Sequence, residues 1–104
     1  MQNKILLIIT TVPNKLLAEK ISKLLIKKRL AACVSINEIE SIYKWQGNIE
    51  QNKEFELTIK TLPEKLYELT EFVKDEISYE IPELIYKKFD SEINYYKWVK
   101  ETLD

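Results

Sequence analysis

The chain of 104 residues contains no histidine, one cysteine and one glycine. Without histidine it lacks the commonest metal ligand and the side chain that most often serves as a general acid or base near neutral pH. Any functional site must therefore use Cys, Glu, Asp, Lys, Tyr or Met. The single cysteine, Cys33, cannot form a disulfide within the chain, which fits a reducing compartment.

Long apolar runs and blocks of one charge are also missing. The longest apolar run, Ile5–Ile9, is far shorter than the roughly 20 residues of a membrane-spanning helix, and Gln2, Asn3 and Lys4 do not begin a signal peptide. Sixteen Lys and Arg face seventeen Asp and Glu without a basic block, which argues against nucleic-acid binding. We expect a cytoplasmic protein with neither a membrane nor a nucleic acid as partner.

Apolar residues make up 45% of the chain, enough for one core, and the length fits a single domain, residues 1–104. Ile5–Ile9 predicts a strand covered on both faces. Behind Asn14, a candidate helix cap, apolar residues recur at helical spacing. From Ala31 apolar residues recur at every second position instead, and an extended segment continues to Trp45. This predicts a long second strand. The helical stripe consists of Leu17, Ile21, Leu24 and Leu25.

A long hairpin is the unusual feature of the predicted fold. Gly47, the only glycine, follows Gln46 and marks a tight turn that needs a positive φ. Beyond the turn apolar and polar residues alternate, and this period places Glu54 and Lys60 on the same face of the strand. Each arm extends to about 12 residues, twice the average strand. Such a ribbon outgrows its own sheet and leaves unpaired edges, so we expect a closed oligomer.

The second half of the chain again alternates helix and strand. Thr61 and Glu64 have the spacing of a capping box ahead of an apolar stripe. Pro82 marks the start of the next strand, Leu84–Phe89 forms its body, and the pair Asp90–Ser91 offers a cap for a last helix. The stripe consists of Leu62, Leu66, Leu69 and Val73. The element order predicts an α+β fold, a ferredoxin-like split βαβ sandwich (βαββαβ plus a C-terminal helix) with an antiparallel sheet.

Short segments along the whole chain resemble those of one family. In the first half these are Thr11–Pro13, Leu30–Val34 and Ser41–Gly47, and in the second half Tyr79–Leu84 and the helical pair Tyr96–Trp98. The patterns Tyr-x-Trp-x-Gly and Tyr-x-x-Pro-Glu within them are fairly specific. With these segments the chain resembles the CutA family of divalent-cation-tolerance proteins.

The resemblance implies a ferredoxin-like homotrimer, similar in architecture to the PII nitrogen-signalling proteins, with a cleft between subunits near the base of the hairpins. It further implies a binding or regulatory module rather than an enzyme, one that acts in the response to metal ions such as copper. The candidate residues of a ligand-binding cleft are Tyr43, Trp45, Glu54, Lys60, Tyr79 and Glu83.

Metal binding is where the chain departs from the family pattern. Many relatives carry a histidine, one of the proposed metal ligands, shortly before the Pro-Glu pair, whereas Glu76–Ser78 precede Tyr79 here. Thr10 occupies a position that is sometimes cysteine in bacterial relatives. Cys33 is left as a candidate thiolate ligand for Cu(I) or Zn. No cofactor is certain, and copper or another divalent metal stays open.

Each of these residues also has a purely structural interpretation. Free cysteines are among the most buried residue types, which favours a structural role for Cys33. Glu54 and Lys60 fit a solvated strand face or an interface ion pair, and Trp45 and Tyr43 fit packing between subunits better than stacking on a ligand. Two other functions are weighed against the binding module. One is a cofactor-free enzyme or a small-ligand signalling protein using the intersubunit cleft, and the other is RNA binding, whose strand motif and positive surface are absent.

Overall fold

The computed structural model describes residues 3–104. Its strands form one antiparallel sheet in the order β2-β3-β1-β4. The elements are β1 (Lys4–Val12), α1 (Lys15–Lys27), β2 (Cys33–Trp45), β3 (Asn48–Thr61), α2 (Leu66–Glu76), β4 (Ile85–Asp90) and α3 (Ile93–Leu103). This confirms the predicted ferredoxin-like α+β architecture. Within residues 3–104, no helix has the length and apolar character needed to cross a membrane.

The main core lies between one face of the sheet and helices α1 and α2. Helix α1 begins after Asn14, whose Oδ1 accepts a hydrogen bond from the Leu17 N–H at 2.8 Å, as predicted. Of the predicted stripe, Ile21 and Leu25 are completely buried. Burial of one such side chain contributes about 1.5–3 kcal/mol. The cluster also contains Leu6, Ile8, Val12, Leu57, Ile59, Leu69 and Val73.

Helix α3 covers part of the opposite sheet face. Val99 and Leu103 of this helix pack with Ile5, Ala32 and Leu62 in a second, smaller cluster. These residues lie where β1 begins and β3 ends, so the helix covers only that end of the face. The other end, towards the hairpin, carries no helix among the described residues, and this is where the candidate site lies.

Three details of the second half differ from the sequence prediction. Thr61 does not cap a helix, because it is fully buried and its Oγ1 donates a hydrogen bond to the Leu30 carbonyl at 2.7 Å. A short 3₁₀ turn, Pro63–Lys65, precedes α2 instead. The cap of α3 is Glu92, whose carboxylate accepts hydrogen bonds from the N–H groups of Asn94 and Tyr95, so the expected cap at Asp90–Ser91 is wrong. Strand β4 begins at Ile85 rather than at Pro82.

The β2–β3 hairpin extends far beyond the rest of the sheet, as predicted. Its arms have 13 and 14 residues. The ladder between β1 and β3 ends at the pair Val12 and Phe55, whereas β2 and β3 stay paired as far as Trp45 and Asn48. The chain therefore measures 48 × 24 × 22 Å. Along the overhang both outer edges lack a strand partner within residues 3–104.

Candidate functional site

A cleft opens where the overhanging hairpin meets segment 77–84, which joins α2 to β4. Its volume is about 650 Å³. Five of the six residues proposed for the cleft line it, namely Tyr43, Trp45, Glu54, Tyr79 and Glu83. The hairpin contributes the first three and the segment the other two, so two parts of the chain that are distant in sequence form its walls.

A hydrogen bond between the two walls holds the cleft together. The Tyr79 hydroxyl donates to Glu54 Oε2 at 2.6 Å. The Tyr79 ring packs against the main core, which fixes the position of its hydroxyl. Burial and the adjacent Glu54 carboxylate raise the pKa of Tyr79 well above its usual value. The phenol therefore stays protonated and acts as a hydrogen-bond donor to Glu54.

The aromatic residues of the hairpin form the outer part of the cleft. Tyr43 OH accepts a hydrogen bond from Asn52 Nδ2 at 2.8 Å, across the β2–β3 pair. Trp45 lies two residues further along the same strand face and is 37% exposed. Both residues line the cleft and contribute rings that are apolar with a polar edge.

Negative charge dominates the cleft. Glu83 lies at its exposed rim, and partial burial, followed by the carboxylates of Glu56 and Glu54, raises the pKa of Glu83. Glu80 adds a further carboxylate to the lining, and no Lys or Arg is present among the described lining residues. The cleft is consequently an electronegative space with aromatic walls.

Lys60 lies elsewhere, although it shares a strand face with Glu54. Six residues of extended strand separate the two by about 20 Å. Lys60 Nζ donates to Ser35 Oγ at 2.7 Å and lies 4.0 Å from Cys33 Sγ. Within one chain, therefore, Lys60 does not contribute to this cleft.

The geometry around Cys33 does not resemble a metal site. Its thiol is half-buried, and the neighbour opposite it in the ladder is the lysine Lys60. A cationic ammonium group next to a thiolate opposes a bound cation. No group of three or more Cys, Asp or Glu side chains within residues 3–104 is arranged to hold a metal ion.

Sequence reasoning missed six lining residues of the cleft: Thr11, Ser41, Ile42, Ser78, Glu80 and Ile81. Ser41 could have been found, because it lies two residues from Tyr43 and shares its strand face. Thr11 could not, since it joins the cleft through the pairing of β1 with β3, which places it opposite Glu56. The remaining residues belong to the hairpin or to a loop without any periodic pattern.

Known proteins of one family match this chain in sequence and in structure. The profile of the family described as CutA1 divalent ion tolerance protein matches residues 6–102. The structure of the periplasmic divalent cation tolerance protein CutA from Archaeoglobus fulgidus superposes with a TM-score of 0.93 at 36% identity, covering 96% of this chain and 99% of that one. The structure of CutA from Synechococcus elongatus gives a TM-score of 0.94 at 30% identity, with 100% and 95% covered.

Relatives in sequence agree with the structural neighbours. The divalent-cation tolerance protein CutA of Pyrococcus horikoshii is 37% identical over 98 residues, which are 92% of this chain and 95% of that protein. Human protein CutA is 38% identical over 96 residues, 90% of this chain but 54% of the human protein. The chain thus spans about half the length of the human, mouse and frog relatives that it matches. With this agreement in profile, sequence and fold, the chain belongs to the CutA1 family of divalent ion tolerance proteins.

Proposed function

We propose that this protein is a homotrimeric binding module that acts in the response to divalent metal ions such as copper, with its ligand site in the cleft at the base of the hairpin. The observation that carries the proposal is the overhang of the hairpin, where two strand edges beside an open cleft have no partner among residues 3–104. Unpaired edges of this length find partners in other chains. A neighbouring subunit would then complete the cleft.

Exposed apolar residues support assembly as well. All six residues of β4 are exposed, among them Ile85 and Phe89. On the hairpin, Ile42 and Ile49 are 66% and 81% exposed. Apolar patches that a single chain leaves uncovered mark interaction surfaces.

The chemistry of the cleft favours binding over catalysis. A general base must be unprotonated near neutral pH, whereas the raised pKa of Tyr79 keeps its phenol protonated. Glu54 already accepts a hydrogen bond from this phenol. Lys60 lies outside the cleft within one chain. The proposal therefore contains no reaction step.

Sedimentation of the tag-free protein tests the assembly directly. We expect a single species with three times the mass of the chain at micromolar concentration. A stable monomer under these conditions would refute the proposed trimer and with it the intersubunit site.

Metal titration tests the second part of the proposal. Divalent copper prefers nitrogen ligands, and this chain has no histidine, so we expect weaker Cu(II) binding than in relatives that carry the histidine. Calorimetry with the wild-type protein and Cys33→Ser measures it. Submicromolar Cu(II) affinity that survives Cys33→Ser would contradict this expectation and require a site formed by other groups.

A further inference from the structure

The lining of the cleft is suited to a positively charged ligand. Glu54, Glu80 and Glu83 line it, and the described lining residues include no Lys or Arg to balance their charge. Burial and the charges of Glu56 and Glu54 raise the pKa of Glu83, because each opposes its ionisation. A cation in the cleft would offset the repulsion between the carboxylates.

Two hydrogen-bond acceptors in the cleft have no partner within residues 3–104. Glu54 uses Oε2 for the Tyr79 hydroxyl, while its Oε1 makes no hydrogen bond there. Thr11 lines the cleft, is only 4% exposed and makes no side-chain hydrogen bond among the described residues. The Thr11 hydroxyl is not completely enclosed, so water reaches it from the cleft, and a ligand with N–H donors can take the place of that water.

The remaining walls are aromatic and aliphatic. Tyr43, Trp45 and Tyr79 contribute rings, and Ile42 and Ile81 contribute aliphatic surface. Aromatic faces attract organic cations and also bury apolar carbon, whereas a hydrated metal ion gains little from them. Among residues 3–104 no three carboxylate or thiol groups converge to replace the six or more oxygen ligands of a hard cation.

We propose that the cleft binds a primary organic ammonium ion with a short apolar chain. The ammonium group donates hydrogen bonds to Glu54 Oε1 and Thr11 Oγ1, and the alkyl chain lies against Tyr43 and Tyr79. This inference rests on the proposed function, because it names the ligand class of the same cleft. The proposed function leaves the ligand of the cleft open, and the inference assigns the cleft to an organic cation rather than to a metal ion.

Calorimetry measures binding without a reporter group. The assembled wild-type protein is titrated with n-butylammonium, and the heat of binding is recorded. Butan-1-ol, which lacks the charge, and n-butyltrimethylammonium, which lacks N–H donors, are titrated alongside. We expect saturable binding of n-butylammonium, at least about tenfold weaker binding of the trimethyl compound, and none of the alcohol.

Substitutions in the same protein test each proposed contact of the ammonium ion separately. Glu54→Gln should weaken n-butylammonium binding about tenfold or more, because it removes the negative charge of the acceptor. Thr11→Val should weaken it about fivefold, because it removes a neutral acceptor. Glu40→Gln removes the same charge from a hairpin position outside the cleft and should leave the affinity unchanged. Equal binding of the ammonium ion and the alcohol, or an unchanged affinity in Glu54→Gln, would overturn the inference.

The state of assembly, measured by sedimentation on the same samples, separates two kinds of failure. A trimer that does not bind n-butylammonium overturns the ammonium site alone and leaves the proposed function standing. A trimer in which Cu(II) or Mg²⁺ binds with dependence on Glu54, and the ammonium ion does not, likewise overturns it in favour of a metal. A monomer refutes the proposed function itself.

Discussion

Two fully buried threonines have opposite surroundings. Thr61 donates a hydrogen bond to the Leu30 carbonyl, whereas Thr10 Oγ1 has no partner within residues 3–104. Valine has nearly the same shape but no hydroxyl. We expect Thr10→Val to raise the free energy of unfolding by about 1 kcal/mol, since it removes an unsatisfied polar atom, and Thr61→Val to lower it by about 1–2 kcal/mol.

Urea denaturation at one fixed protein concentration measures both variants. Each variant is the control for the other, because the two positions are equally buried and receive the same substitution. A loss of stability in Thr10→Val would mean that its hydroxyl is hydrogen-bonded in solution.

The role of a polar side chain could be predicted from the sequence only where its hydrogen-bond partner lies close to it in the chain. The Asn14 cap was found because its partner, Leu17, lies three residues away. Thr61 was misassigned because its partner, Leu30, lies 31 residues away in the chain. Local spacing matched a capping box, but the tertiary contact determines the role of Thr61.

Among the elements, the hairpin turn makes the sharpest conformational demand. Gln46 and Gly47 both have positive φ, 49° and 84°, as in a type I′ turn. No heavy atom lies within 4 Å of a Cβ added to Gly47, so substitution there costs backbone strain alone. We expect Gly47→Ala to destabilise by about 1 kcal/mol and Gln46→Asn to stabilise by a few tenths, since asparagine tolerates this region better.

Thermal denaturation of the two turn variants tests this, with shifts of opposite sign expected. Gln51→Asn, an exposed substitution in the extended part of β3, serves as a control and should not stabilise the protein. Stabilisation by Gly47→Ala would mean that the turn adopts another conformation in solution.

Periodicity predicted the elements better than it predicted the site. Apolar spacing, together with proline and cap residues, predicted each strand and α-helix. It missed the 3₁₀ turn Pro63–Lys65 and misplaced the starts of α2 and β4 and the cap of α3. The same alternation placed Lys60 on the face of Glu54, but it gives the face and not the distance along the strand. Segment 77–84 has no period at all, and only the family resemblance singled out Tyr79 and Glu83 in it.

At the scale of the whole molecule, Trp45 should stabilise the assembly. It lies at the end of β2, on the hairpin overhang, and remains 37% exposed in a single chain. A tryptophan at such a position buries a large area when a neighbour covers it. We expect Trp45→Ala to raise the dissociation constant of the proposed trimer at least about tenfold, which sedimentation over a dilution series measures.

The control for this prediction is Ile26→Ala. Ile26 is an apolar residue in the last turn of α1 that is 40% exposed and lines neither the cleft nor the surface beside β4. Its removal should leave the dissociation constant unchanged. If Trp45→Ala stays trimeric with an unchanged melting temperature, the assignment of Trp45 to the subunit contact is wrong.

The central position of β1 determines the order in which the chain can fold during synthesis. The hairpin pairs residues close in sequence, so it can form as soon as both arms have left the ribosome. Strand β1 is made first, yet its second neighbour is β4, and Ile5 pairs with Phe89 near the other end of the chain. Until then one edge of β1 stays open, with the apolar residues Leu6 and Ile8 next to it. The nascent chain therefore depends on protection from aggregation until its last strand emerges.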